Sequence, residues 1–225
     1  MDFEMWEVFG KLAATVHYMK GDTLVFSADY YVGSAFVHTG VRHGGFSINA
    51  NARNANELPE VLVNLLKNNY IPSTWLIRRV LAEESNYAAA VRRLKEENVT
   101  ATIYFIVSGV EKNDGIVIEK EMDHVVGTEE LTSDRWFIVQ TNYDRNQSEP
   151  IDDVRRAPAE RKMRARGNTN LTLDDIFHIL KEWPNFNIAT IITASMSAAK
   201  HIHNTTAWYG YNPPMETETL LTAEE

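Results

Sequence analysis

The sequence contains no cysteine. That excludes disulfides, thiolate metal centres and a thiol nucleophile within the chain. Long apolar runs are missing too. No window approaches the roughly 18 uninterrupted apolar residues of a membrane span, so no transmembrane helix is expected. Cations are scarce: Lys and Arg number 22 against 31 Asp and Glu, a net charge of −9. This argues against a general nucleic-acid binder, which presents a basic face. The opening residues carry Asp2, Glu4 and Glu7 and lack the basic stretch of a secretory leader. Internal repeats and low-complexity tracts are absent.

What is present suits one domain. The 225 residues are 44% hydrophobic and 24% charged, ordinary values for a globular protein with a substantial core. Residues 1–214 read as that domain and 215–225 as an acidic, fraying tail. Residues 12–19 and 23–27 are strand-like on either side of Gly21-Asp22, a hairpin signal. Residues 29–45 are rich in Gly, Tyr and His and read as a long loop, followed by a short alternating strand at 46–50. Residues 57–68 are amphipathic, with Leu58, Val61, Leu62, Leu65 and Leu66 on one face. Pro72 opens a second helix with Trp75, Leu76, Val80 and Leu81 directed inward. Asn86 caps a third over 87–96. Strands then come close together at 101–108, 115–119, 124–126 and 135–141, the first two joined by the turn signal Asn113-Asp114-Gly115. A basic helix at 155–166 ends at Gly167. Another runs over 173–183, with Asn170 or Thr172 as its cap, and strands at 188–194 and 206–211 close the chain.

The end of the 135–141 run concentrates polar chemistry. Asn142, Tyr143, Asp144 and Arg145 stand where the backbone leaves the strand, and Asp152, Asp153, Arg155 and Arg156 follow shortly after. A fixed amide with paired charges at a strand end is a common place for a site. A strand followed by a salt-bridged loop accounts for the same residues. His201 and His203 on one strand would share a side as metal ligands do, but no third ligand is spaced to help, and a surface pair is the simpler reading. His38 and His43 are placed to line a pocket. His17, His124 and His178 read as structural. Ser27, Ser34 and Ser47 lack a nucleophile elbow and a sequence-near base. Four sequons, at Asn98, Asn146, Asn170 and Asn204, are compatible with secretory routing.

Several motifs, in order, carry a family likeness. Thr141-Asn142-Tyr143-Asp144-Arg145 with Asp153 and Arg155-Arg156 resembles the signature of the acid ceramidase and N-acylethanolamine acid amidase family, lysosomal hydrolases of the N-terminal-nucleophile (Ntn) class. Met1-Asp2-Phe3, Tyr31-Val32-Gly33, Thr39-Gly40, Phe46-Ser47-Ile48, Ile71-Pro72-Ser73-Thr74-Trp75-Leu76-Ile77-Arg78 and Asn170-Leu171-Thr172-Leu173 extend the likeness along nearly the whole chain. It implies an α+β fold, the Ntn-hydrolase-like αββα four-layer sandwich, here missing an edge strand at the N-terminus. It also implies cofactor-free, metal-free hydrolysis of a fatty-acyl amide, N-acylethanolamine or ceramide, to fatty acid and amine. The implied catalytic residues are Asp2, which orients the nucleophile, Asn142 of the oxyanion hole and Arg155 of the polar network. Trp6, Tyr31, Phe36 and His38 are candidates for substrate contact. The implied partners are the lipid amide, a membrane surface or lipid carrier, and an upstream, α-subunit-like segment of the precursor; nucleic acid is not among them. The implied compartment is the lysosome, if the missing N-terminus carries a signal peptide.

The sequence also departs from the family. The family nucleophile is a cysteine, and the arginine expected three residues before Asp2 would also fall upstream of Met1. Ala52 stands where relatives carry an acid beside the arginine matching Arg53, and Ser34-Ala35-Phe36 looks like an insertion. A truncated amidase and a non-catalytic lipid-binding paralogue both fit. A purely structural or interaction protein fits the motif string less well.

Overall fold

A computed structural model describes residues 8–34, 36–53 and 57–209. Asp2, Trp6 and the acidic tail lie outside the described residues.

Seven strands form one antiparallel sheet in chain order: β1 (Ala13–Lys20), β2 (Thr23–Tyr31), β3 (Thr39–Arg42), β4 (Phe46–Ala52), β5 (Ile103–Ser108), β6 (Gly115–Lys120) and β7 (Val125–Glu130). Three helices are inserted between β4 and β5: α1 (Leu58–Leu66), α2 (Ser73–Glu83) and α3 (Tyr87–Glu96). The later part adds α4 (Arg156–Arg166), α5 (Leu173–Leu180) and a ribbon of β8 (Ile192–Ser197) with β9 (Ile202–Ala207).

The large sheet has two unlike faces, because alternate side chains point to opposite sides. Phe26, Ala28, Phe46, Ile48, Phe105, Val107, Ile116 and Ile118 form one buried cluster with Leu76, Ile77, Val80 and Leu81 of α2 and Ala90 and Leu94 of α3. Each of the larger side chains among them contributes about 1.5–3 kcal/mol by leaving water. Gly40 makes the close approach of α2 possible, since a Cβ there would lie 2.7 Å from Leu81 Cδ1. The residues between, Ser27, Asp29, Ser47, Asn49 and Asn51, put a polar surface on the other side. There the β8–β9 ribbon stacks, with α5 packed on β8 and α4 on α5. The layers therefore run helices, sheet, ribbon, helices: the αββα order.

Local signals place much of this. Gly21, at φ +59, turns the β1–β2 hairpin, and the Asn86 side chain accepts the Ala89 N–H at 3.0 Å to cap α3. We expect Asn86→Ala to lower stability by about 1 kcal/mol, the usual worth of such a cap, read from chemical denaturation.

Several expectations need correction. Residues 135–141 join no sheet among the described residues, and Phe137, Ile138 and Val139 are half-buried. The long loop at 29–45 contains β3 and the end of β2. The 124–126 strand runs on to Glu130, and the last two strands are displaced to 192–197 and 202–207. In α1 the apolar stripe faces out: Leu58, Leu62, Leu65 and Leu66 are exposed and Asn64 is the buried residue. Trp75 also lies partly outward, under the Arg78 guanidinium at 4.9 Å.

Candidate active site

Residues 136–145 cross the polar side of the sheet without a strand partner among the described residues, so side chains anchor them. The Asn51 amide donates from β4 to Gln140 O at 2.9 Å and to Thr141 O at 3.3 Å. Arg145 donates to Val139 O at 2.7 Å. Asn142 Nδ2 donates back to Ala52 O at 2.9 Å.

Arg155 fixes which way the Asn142 amide faces. Its Nη2 donates to Asn142 Oδ1 at 2.7 Å, and a guanidinium has no acceptor, so the oxygen must be the atom turned toward it. The NH2 is thereby directed away. One of its hydrogens meets Ala52 O, and the other has no protein acceptor among the described residues. Arg155 is itself held by Asp153, through Nε at 2.6 Å and Nη2 at 2.9 Å, and Tyr143 donates its hydroxyl to the same carboxylate at 2.9 Å. The Glu149 carboxylate accepts the backbone N–H groups of Arg155 and Arg156 at 3.1 and 2.8 Å, which satisfies the free donors at the start of α4.

Beneath this pair lies a buried charge network. Arg53 reaches Asp144 with Nε and Nη2, both at 2.8 Å, and contacts Glu121 through Nη1. Tyr104 donates its hydroxyl to Asp144 at 2.6 Å. The Arg53 guanidinium holds the Asp144 carboxyl below the usual carboxylate range, while burial pushes the Tyr104 hydroxyl up. Arg156, also buried, binds Tyr143 O and Asp144 O. Asn142 thus stands on a rigid base.

Two cavities meet at this point. A chamber of about 760 Å³ lies between the polar face of the sheet and β8, with Asp29, Tyr31, His38 and Thr39 in its wall. A trough of about 580 Å³ runs between β5 and β6, the 137–141 segment and helices α4 and α5, lined by Ile106, Val117, Phe137, Met163, Ile176 and Ile179. Asn49, Asn51, Asn142 and Asn185 border both cavities. The arrangement is a ring of amides between a chamber of mixed lining and an apolar trough.

Of the residues singled out in the sequence, Asn142 and Arg155 are in contact, and Tyr31 and His38 line the chamber. Phe36 does neither; it is exposed and borders neither cavity. The histidine pair also differs from expectation. His201 occupies the turn after β8 at φ +56, whereas the His203 side chain is buried and contacts Asp29 at 3.0 Å. No group of residues suited to a metal ion occurs among the described residues. Asn146, Asn170 and Asn204 are exposed, and Asn98 is partly covered. Asn51, Tyr104 and Glu149 escape sequence reasoning, and Arg53 is marked there only as a match to a family arginine. Arg53 and Asp144 are 91 residues apart, and no local pattern joins them.

No protein-family model matches the chain. An N-acylethanolamine-hydrolyzing acid amidase from Rattus norvegicus is 33% identical over 202 residues, 89% of this chain and 56% of the rat protein. An acid ceramidase from Mus musculus is 29% identical over 194 residues, 84% of this chain and 49% of its own length. The chain is a homologue of the N-acylethanolamine-hydrolyzing acid amidases and the acid ceramidases. It spans about half the length of the amidase and ceramidase relatives it matches. The solved structure of a Caenorhabditis elegans N-acylethanolamine-hydrolyzing acid amidase ortholog superposes with a TM-score of 0.80, covering 92% of both chains at 24% identity. That likeness carries the fold, which is Ntn-hydrolase-like as the sequence motifs imply.

Proposed function

We propose that this chain is the scaffold and oxyanion-binding part of an acid amidase that hydrolyses fatty-acyl amides, N-acylethanolamine or ceramide, with water as the final acceptor. The observation that carries the reading is the Arg155–Asn142 pair at the meeting point of a chamber of mixed lining and an apolar trough. An acyl amide divides along the same line. Its hydrocarbon fits the trough, its amine the chamber, and its carbonyl falls near the Asn142 NH2. There a held amide can donate to the oxyanion that forms when the carbonyl is attacked.

In this reading the nucleophile comes from a segment that this sequence does not contain. Two unpaired backbone edges offer it a seat. β8 pairs with β9 along one edge and with no described strand along the other, and residues 191–194 line the chamber. The 137–141 segment borders the adjoining trough, and its backbone joins no ladder among the described residues. A strand laid between them would bring its end toward Asn142. The exposed leucines of α1 suit a membrane surface or lipid carrier that delivers the amide. The exposed sequons at Asn146, Asn170 and Asn204 suit a lysosomal, glycosylated protein.

A second reading, a lipid-binding paralogue without turnover, draws on the absence of cysteine and on Ala52 in place of the family acid. One experiment separates them. The 5′ end of the transcript is mapped, and the present and any extended chain are assayed on fatty-acyl ethanolamides and ceramides at acid and neutral pH. The amidase reading expects an encoded cysteine, then an arginine three residues before Asp2, and hydrolysis at acid pH by the extended chain. An extended chain that binds these lipids without cleaving them would overturn it in favour of the paralogue.

A further inference from the structure

Four histidines lie at the seam between the large sheet and the β8–β9 ribbon, on three separate parts of the chain. His17 of β1 meets Ser27 Oγ through Nδ1 at 2.8 Å, and Ser27 Oγ meets His43 Nε2 at 3.1 Å. His43, in the β3–β4 turn, stacks on His201 of the β8–β9 turn, with ring centroids 5.7 Å apart and planes 11° from parallel. His203 of β9 reaches Asp29 of β2 at 3.0 Å. Asp29 is the carboxylate placed to compensate them, and it already accepts from Thr15 at 2.8 Å and Thr205 at 3.0 Å. Arg42, next to His43, turns to the other face of the sheet, where it donates to Leu81 O. His43 Nδ1 and His203 Nδ1 are buried without a partner. Across this seam the turn backbones share a hydrogen bond, Gly44 N–H to Ala198 O at 2.8 Å.

We infer that this cluster is an acid-sensitive latch that holds the ribbon on the sheet at neutral pH and loosens it as His43, at its centre, gains a proton. With its imidazole neutral, His43 joins the seam through its contacts with Ser27 and the His201 ring. A proton on His43 puts a cation against that ring, while the Asp29 carboxylate is already taken up by His203, Thr15 and Thr205. Burial and the neighbouring His201, His203 and His17 lower the proton affinity of His43. A base whose folded pKa lies below its unfolded value contributes stability that is present above the unfolded value, about 6.5 for histidine. That stability is lost as pH falls from there through the folded value. The loosening therefore begins below about pH 6.5. Because β8 forms a wall of the chamber, the latch governs access between sheet and ribbon.

Hydrogen exchange of the full chain tests this without any reference to catalysis, so the outcome is independent of the amidase reading. After correction for intrinsic exchange chemistry, amides of β8, β9 and the β3–β4 turn should lose protection by about tenfold or more between about pH 7 and about pH 5, while those of β5 and β6 stay protected. The His43→Gln/His201→Gln double variant should remove most of that pH dependence. Should the pair disturb folding, seen as lost protection in β5 and β6 at neutral pH, His201→Asn alone serves. Its ring is exposed and its contact with His43 is the stacking, and it should reduce the effect. Protection of the ribbon that is independent of pH, or a pH dependence unchanged in these variants, would overturn the proposal.

Discussion

Replacing Asp144 by alanine should lower the stability of the chain by about 3–5 kcal/mol, the cost of breaking a buried ion pair from one side. Arg53 is 4% exposed and gives two of its hydrogen bonds to that carboxylate. Without it the cation stays buried, and Tyr104 loses its acceptor. Against a total stability of about 5–15 kcal/mol the loss is large, and it appears as a lower midpoint in urea unfolding. Exposed pairs such as Arg79 with Glu83 set the contrast, since they are worth about 1 kcal/mol or less. A loss that small for Asp144→Ala would mean the network does not anchor the 136–145 segment. The pH dependence has a definite sign. Arg53 depresses the Asp144 pKa in the folded state, so the contribution is complete above the unfolded value of about 3.9. It disappears as pH falls through the folded value. This window lies well below the one in which the histidine latch opens, so a pH titration of stability separates the two.

Asn142→Ala should lower kcat by about 10²–10³-fold in the active assembly, with little change in KM, as when a single oxyanion donor is removed. The donor acts only once the carbonyl oxygen carries charge, so substrate binding is largely spared. Arg155→Lys should reproduce part of the defect. A lysine lacks the planar fork that meets Asp153 twice and Asn142 once. Steady-state kinetics on the extended chain check both variants, with exchange of the 137–141 amides as a control for structure. A kcat within about twofold of the parent in Asn142→Ala would remove Asn142 from the oxyanion hole. Parallel changes in kcat and KM with loss of amide protection would instead assign it a tethering role, through its bond to Ala52 O.

The local features of this fold were legible because short-range rules specify them. Asn86 caps a helix, Gly21 turns a hairpin, Gly167 ends α4, and alternation along β4 puts Phe46 and Ile48 on one face. Asn142 and Arg155 were found by motif, and Asp153 close in sequence supplied an obvious partner. Periodicity, however, marks a stripe without saying what covers it. The leucines of α1 therefore read as a core face and lie outside. An apolar run such as 136–139 reads as a strand, yet a strand needs a neighbour to pair with, and whether one exists is settled elsewhere in the chain.

By itself, then, the sequence determined most of the element types and the chemistry available at residues 142–156. Tertiary structure alone decided that Arg53 meets Asp144 across 91 positions, that Asn51 tethers residues 140 and 141, and that His203 is buried against Asp29. The physical reason is that these contacts follow from how strands are ordered and layers stacked, and hydrogen bonding between distant side chains leaves no local pattern in the sequence.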